Sequence, residues 1–346
     1  MKKRWDWLLF LLIIAIGSIS LLIIFSINKT LATNQLIFWG VGLLVLIFLF
    51  YFDYKIWIKF SPLLYIASLF FLLLLLIIGD PVRGSVRWLD LGAFRFQPSE
   101  VAKATSILVL SVFYFERSAR DLKNVFLSFL IILPAFILVL IQPDIGNSLT
   151  FIAIWFGISF ICGFRPKHIF TLIVLAVITS LLLFRALAPY QKERINSFIN
   201  PQKDPLGTGY QIIQAKIAAG SGKFWGRGLG RSSQSQLKFL PEAESDFIFA
   251  SIAEQLGFIG AGLTITLYTL FVTRIINLIK LIDRFGQLIA TGVISYLLLQ
   301  FLVNVGMNMA LVPVTGITLP LVSYGGSSLI STLFLLGIIF SIRRPT

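Results

Sequence analysis

The stretch MKKRWDWLLFLLIIAIGSISLLIIF, Met1 to Phe25, opens on cations and continues as an almost unbroken apolar run. A helix needs about 20 such residues to cross a bilayer. The run is too long for the apolar region of a signal peptide, and no A-x-A-like cleavage site follows it. It is expected to be a first membrane span, with Lys2, Lys3 and Arg4 holding the terminus in the cytoplasm.

The rest of the chain repeats the pattern. Hydrophobic residues make up 57% of the 346 positions and charged residues 13%, far from a soluble domain. Barrel strands are short and alternating, so these long runs exclude a barrel. The expectation is an all-α polytopic membrane protein of about ten transmembrane helices. They fall near 7–27, 36–52, 60–78, 98–115, 123–142, 147–163, 167–187, 246–275, 285–307 and 319–341. Cys162 is the only cysteine, which rules out an intrachain disulfide, and His168 is the only histidine, which rules out histidine clusters.

With the N-terminus inside, the cations at Lys55, Lys59, Arg117 to Lys123, Arg165, Arg274, Lys280, Arg284, Arg343 and Arg344 fall on the cytoplasmic side. An even span count returns the C-terminus there. Arg83, Arg87 and Arg95 break the rule, because they fall in a short outside loop. Their retention suggests an anionic partner, a phosphate above all; contact with lipid headgroups is the alternative. A second outside segment, 188–245, between spans seven and eight, carries Lys192, Arg194, Lys203, Lys216, Lys223, Arg227, Arg231 and Lys238. Within it, YQIIQAKIAAGSGKF has apolar positions at helical spacing and reads as an amphipathic helix on the membrane surface. The glycine-rich GSGKFWGRGLG that overlaps its end reads as a flexible loop. It is not a P-loop, since Ile217 and Phe224 stand where glycine and Ser or Thr are needed, and Arg231 spoils the dinucleotide fingerprint. Nothing points to nucleic acid.

Acids are scarce, so their positions are informative. Glu100 and Lys103 share a helix face just inside the fourth span, as a bundle salt bridge, a ligand-facing pair or both, with Ser99 a plausible helix cap. Asp144, in QPDIGNS, is placed to cap the sixth span. Asn304 and Asn308 are polar groups at a span end, and Ser327 lies in the glycine–serine run of the last span, either for close packing or lining a polar cavity. FLPEAESDFIFA gathers Glu242, Glu244 and Asp246 at a membrane entry, with Ser245 as a plausible helix cap. Asp246 is the deepest of the three. Its depth beside outside cations favours chemistry over a mere helix-dipole role.

Taken in order, RWLDLGAFRFQPSEVAK, QPDIGNS, DPLGTGYQIIQAKIAAGSG, QLKFLPEAESDFIFASIAEQLGFIG and NVGMNMALVPVTGITLPLVSYGGSS resemble the SEDS family (shape, elongation, division and sporulation), which includes RodA, FtsW and SpoVE. The resemblance covers nearly the whole chain and implies one transmembrane domain over 1–346. It implies an enzyme of the bacterial cytoplasmic membrane, a peptidoglycan glycosyltransferase that polymerises lipid II on the outer face beside a class B penicillin-binding protein. KIAAGSG and QSQLKFLPE look more like RodA, the elongation branch, whereas GLG and PEA look more like FtsW, the division branch. The family's essential aspartate falls on Asp246, and its buried Glu-x-x-Lys pair on Glu100 and Lys103. The usual Pro-Glu-x-His-Thr-Asp is altered here, with Glu244 and Ser245 in place of His and Thr. An acid two residues from Asp246 is placed to raise its pKa or to add a cation ligand.

An α-linked sugar pyrophosphate becoming a β-1,4 linkage implies inversion in one displacement, with a base on the attacking hydroxyl. Asp246 is the candidate base. The leaving pyrophosphate needs charge neutralisation, from Arg83, Arg87, Lys103 and Arg194 or from a divalent cation, Mg or Mn. Glu100, Glu242, Glu244 and Ser327 complete the expected substrate-binding set. Two other classes stay open: a lipid II flippase, and a non-catalytic scaffold for a penicillin-binding protein.

Overall fold

The computed structural model describes residues 5–79, 87–90, 95–165, 197–205, 207 and 209–342. The expected span at 167–187, Arg83, Arg194 and His168 lie outside the described residues.

The described residues form a helical membrane bundle with one short strand pair. Its helices are α1 (Trp7–Ile27), α2 (Lys29–Tyr51), α3 (Ile56–Ile78), α4 (Pro98–Phe115), α5 (Leu122–Ile141), α6 (Ile145–Ile161), α7 (Tyr210–Ser221), α8 (Ser233–Gln236), α9 (Ile248–Ile279), α10 (Arg284–Asn308) and α11 (Gly326–Ser341). Six of them, α1, α2, α3, α5, α9 and α10, are long and apolar enough to cross a membrane, and α6 and α11 are shorter apolar helices. The burial pattern is that of a bilayer protein. Leu44, Phe48, Ile66 and Phe70 are exposed, while Ser20, Gln35, Lys103, Glu254 and Asn304 are fully buried. Lipid tails solvate apolar side chains, so the interior is where polar groups find partners.

Local chemistry sets the helix ends. Asp6 caps α1 by accepting from the Leu9 N–H at 2.9 Å, and it also holds Arg274 of α9 at 2.8 Å. Asn28 alone separates α1 from α2, its side chain accepting from the Thr30 and Leu31 N–H groups. The second span therefore starts at Lys29 rather than near 36, because one capping asparagine replaces the expected loop. At the other end of the chain the correction is opposite. The helix expected at 319–341 begins only at Gly326, since prolines and glycines keep 311–325 irregular. α11 lies close against α2: Gly42 leaves room for Leu333, and a Cβ on Gly337 would come within 3.0 Å of the Leu46 backbone.

α9 is not one continuous helix. Gly257 sits at φ 67°, ψ −162°, and breaks it. The backbone groups freed by the break are met by the glycine-rich segment, which is a splint rather than a loose loop. Phe258 N–H donates to the Lys223 carbonyl at 2.8 Å, Arg227 N–H to the Glu254 carbonyl at 2.9 Å, and Gly228 N–H to the Gln255 carbonyl at 3.0 Å. Gly226 and Gly257 let the two backbones meet, because a Cβ on either would strike the other segment. Glu254 completes the joint, its carboxylate accepting from the Gln234 and Ser235 N–H groups and the Ser235 hydroxyl.

The amphipathic helix exists as α7, but its apolar face is not spent on lipid alone. Ala215 and Ala218 pack on Leu240, Ala243, Phe247 and Ala250. α7 is thus the floor of the turn that carries Asp246.

Candidate functional site

The site is assembled from three segments that do not belong to regular helices: the strand pair before α4, the turn before α9, and the 309–325 stretch before α11. The strands β1 (Leu89–Asp90) and β2 (Arg95–Phe96) pair antiparallel, Leu89 opposite Phe96. Ser327 fastens them, accepting from the Gln97 N–H at 3.0 Å and donating to the Arg95 carbonyl at 3.2 Å. Its hydroxyl has a scaffold task here.

Residues 241–247 form a succession of turns. Glu242 adopts a left-handed φ of 54°, and its carbonyl accepts from the Ser245 and Phe247 N–H groups. Two expected caps are not made. The helix starts at Ile248, beyond Ser245, whose hydroxyl instead donates to Glu242 Oε2 at 3.0 Å. Ser99 lies inside α4, which begins at Pro98, and its hydroxyl caps nothing. Glu242 is therefore a brace of the turn. Glu244 is half-buried, and its carbonyl accepts from the Tyr324 N–H at 2.8 Å, while Ser323 donates to the Ser245 carbonyl at 2.6 Å. The turn is docked along its length on the stretch before α11.

Asp246 is half-buried at the end of that turn. Gly316, at φ 75°, lies against it: a Cβ there would stand 3.5 Å from Asp246 Oδ2 and 3.2 Å from Arg87 Nη1. The two charged tips therefore converge on one small space, kept open by the missing side chain. Arg87 is anchored on its far side, donating to the Pro143 carbonyl at 2.6 Å, with Nε 3.6 Å from Asp144 Oδ2.

Behind Arg87 runs a buried polar chain. Asp144 caps α6 as its position suggests, accepting from the Asn147 N–H, and its second oxygen accepts from Asn147 Nδ2 at 2.8 Å. Asn147 Oδ1 accepts from Lys103 Nζ at 2.9 Å, and Lys103 donates to Glu100 Oε1 at 2.7 Å. Lys103 Nζ also lies 5.2 Å from the centre of the Tyr296 ring. Glu100 and Lys103 are almost wholly buried, and Glu100 Oε2 has no hydrogen-bond partner. The salt bridge foreseen at i, i+3 is made, and it extends through Asn147 and Asp144 to Arg87.

Sequence reasoning missed several of these parts. Gly316 gives no sign in a stretch rich in glycine. Asn147 stood in a motif attributed to Asp144 alone. Glu254 sits in an apolar helix, and that position is the signal that would have marked it, since an acid in a span is costly without a partner.

A family model described as cell cycle protein, FtsW/RodA/SpoVE, matches residues 4–346. The stage V sporulation protein E of Bacillus subtilis (strain 168) is 36% identical over 99% of this chain and 98% of its own. The peptidoglycan glycosyltransferase MrdB of Escherichia coli (strain K12) is 37% identical over 88% of this chain and 83% of its own. Among solved structures, a chain of a peptidoglycan synthase complex that coordinates polymerisation and crosslinking superposes with a TM-score of 0.85 at 32% identity, covering 98% of each chain. With its motifs in order, its helices superposed and the family model matched from Arg4 to Thr346, the chain belongs to the FtsW/RodA/SpoVE family of cell cycle proteins.

Proposed function

We propose that this protein is a peptidoglycan glycosyltransferase that polymerises lipid II into β-1,4 glycan strands on the outer face of the cytoplasmic membrane. The convergence of the Asp246 carboxylate and the Arg87 guanidinium at Gly316 carries this proposal. One group has the chemistry of a base, the other of a pyrophosphate clamp, and each is held from behind by buried partners. The similarity to MrdB and to the synthase complex supports the same reaction class.

Asp246 takes the proton of the acceptor's 4-hydroxyl as its oxygen attacks the anomeric carbon from the face opposite the pyrophosphate. The C–O bond to the polyprenyl pyrophosphate breaks, and that group departs as the anion. Such a leaving group needs charge stabilisation more than a proton, which Arg87 supplies. The Glu100–Lys103–Asn147–Asp144 chain keeps Arg87 aimed. Among the described residues no group of three His, Cys, Asp or Glu side chains gathers that could hold a metal ion; a divalent cation, Mg or Mn, carried on the pyrophosphate would add to the same charge neutralisation. A class B penicillin-binding protein is the proposed partner, crosslinking the strand made here, in cell elongation rather than division.

The test is incubation of purified protein with labelled lipid II, with and without a class B partner. Strands are expected from the wild type and none from Asp246→Asn. Strand synthesis by the asparagine variant would remove the base. Lipid II flipping in liposomes without strand synthesis would favour transport instead.

A further inference from the structure

We propose that Asn304 and Asn308 of α10 are positioning residues for Asp246, acting on its main chain from below. This rests on the assignment of Asp246 as the base. Neither asparagine reaches the carboxylate, yet both serve the residue that bears it. Asn304 Nδ2 donates to the Asp246 carbonyl at 3.0 Å and Asn308 Nδ2 donates to the same oxygen at 2.9 Å. One carbonyl with two lone pairs is thereby saturated by two side chains one helical turn apart.

Their remaining groups tie the other walls of the site to the same point. Asn304 Nδ2 also donates to the Ile317 carbonyl at 2.7 Å, so a single amide joins Asp246 to the residue following Gly316. Asn308 Oδ1 accepts from the Ala250 N–H at 2.8 Å, an otherwise orphaned donor in the first turn of α9. Asn308 Nδ2 reaches the Asn304 carbonyl at 2.8 Å, which closes the pair on itself. α9 has no capping side chain of its own at Phe247, and α10 supplies one from outside the helix.

Both asparagines are fully buried. Two amides in an apolar span are costly without partners, and these are committed to the base segment, the Gly316 segment and the helix start together. The Asp246 and Gly316 sides of the gap are thus fixed by α10. A displacement of about 1 Å at a reacting group is enough to cost on the order of 100-fold in rate.

The experiment compares Asn304→Leu and Asn308→Leu, near-isosteric and without donors, with Asn304→Gln, Asp246→Asn and the wild type, all as full chain on labelled lipid II. The positioning role predicts kcat lowered roughly 10- to 100-fold with KM within about twofold, and partial recovery in Asn304→Gln. Should the leucine variants not yield monodisperse protein, Asn304→Ser keeps one hydroxyl donor and is expected to show an intermediate kcat. Wild-type kcat in the asparagine variants, with Asp246→Asn inactive, overturns the positioning role alone. A fall in activity that only tracks the folded fraction in thermal scans overturns it as well. Activity retained by Asp246→Asn overturns the base assignment and the clamp with it.

Discussion

Arg87 and Asp246, 159 positions apart in the chain, point at the same missing side chain, the Cβ that Gly316 lacks. Each has anchors of its own among the described residues. Arg87 is anchored by Pro143 and Asp144 at the start of α6, and the Asp246 main chain by the end of α10. A substrate group that enters the space between them meets a carboxylate on one wall and a guanidinium on the other.

Gly316→Ala would fill that space and force a side chain onto a left-handed backbone at φ 75°. The strain is about 1–2 kcal/mol, small against a whole fold. Polymerisation is expected to fall roughly tenfold or more while the thermal midpoint drops only slightly. Turnover and melting measured on the same preparation check it.

Arg87→Lys keeps the charge but loses the fork. The native guanidinium donates to Pro143, lies by Asp144 and faces Asp246 at once, which a single ammonium does not reproduce. Strand synthesis by Arg87→Lys is expected to be nearly as weak as by Arg87→Ala. Near-wild-type turnover in the lysine variant would show that charge alone suffices.

Lys103→Met strands the Glu100 carboxylate inside the bundle and removes the donor to Asn147. Breaking a buried pair from one side typically costs about 3–5 kcal/mol. The double variant Glu100→Gln with Lys103→Met is expected to be less destabilised than Lys103→Met alone. Thermal unfolding in detergent reads both.

Gly257→Ala places a Cβ against Gly226 and Phe224 in a backbone region essentially confined to glycine. Strain of about 1–3 kcal/mol is expected, and the splint should loosen. Hydrogen exchange at 223–228 should accelerate more than exchange at 258–279.

Glu244→Gln tests the acid that stands where the family resemblance implies a histidine. Its carbonyl, not its carboxylate, makes the docking contact to Tyr324. Polymerisation is expected to stay within roughly tenfold of wild type, since the main-chain contact that docks the turn survives the change. A loss as complete as that of Asp246→Asn would mean that the two acids act jointly.

Membrane class and the central acids were legible because hydropathy and rarity are properties of single positions. Glu100 and Lys103 were legible because a helix converts i, i+3 into contact. The convergence on Gly316 was not, since it joins segments separated by whole spans. The late start of α11 was hidden because VSYGG continues an apolar run, and hydropathy does not register that Leu319 N–H donates to the Ser323 hydroxyl instead of to a helical carbonyl. Ser245 misled for a related reason. A serine two residues before an apolar run is a cap only if the chain turns helical there, and the left-handed Glu242 delays that turn until Ile248.

The break at Gly257 divides α9 mechanically as well as geometrically. Residues 248–256 form a short arm with Asp246 at its tip, and its pivot is braced by a segment from elsewhere in the chain. The 222–230 segment bonds both sides of the break, Glu254 and Gln255 on the arm and Phe258 and Ile259 on the longer part, so it joins the two pieces of α9. The angle between the short arm beside Asp246 and the rest of α9 is therefore set by a glycine-rich strip that belongs to neither.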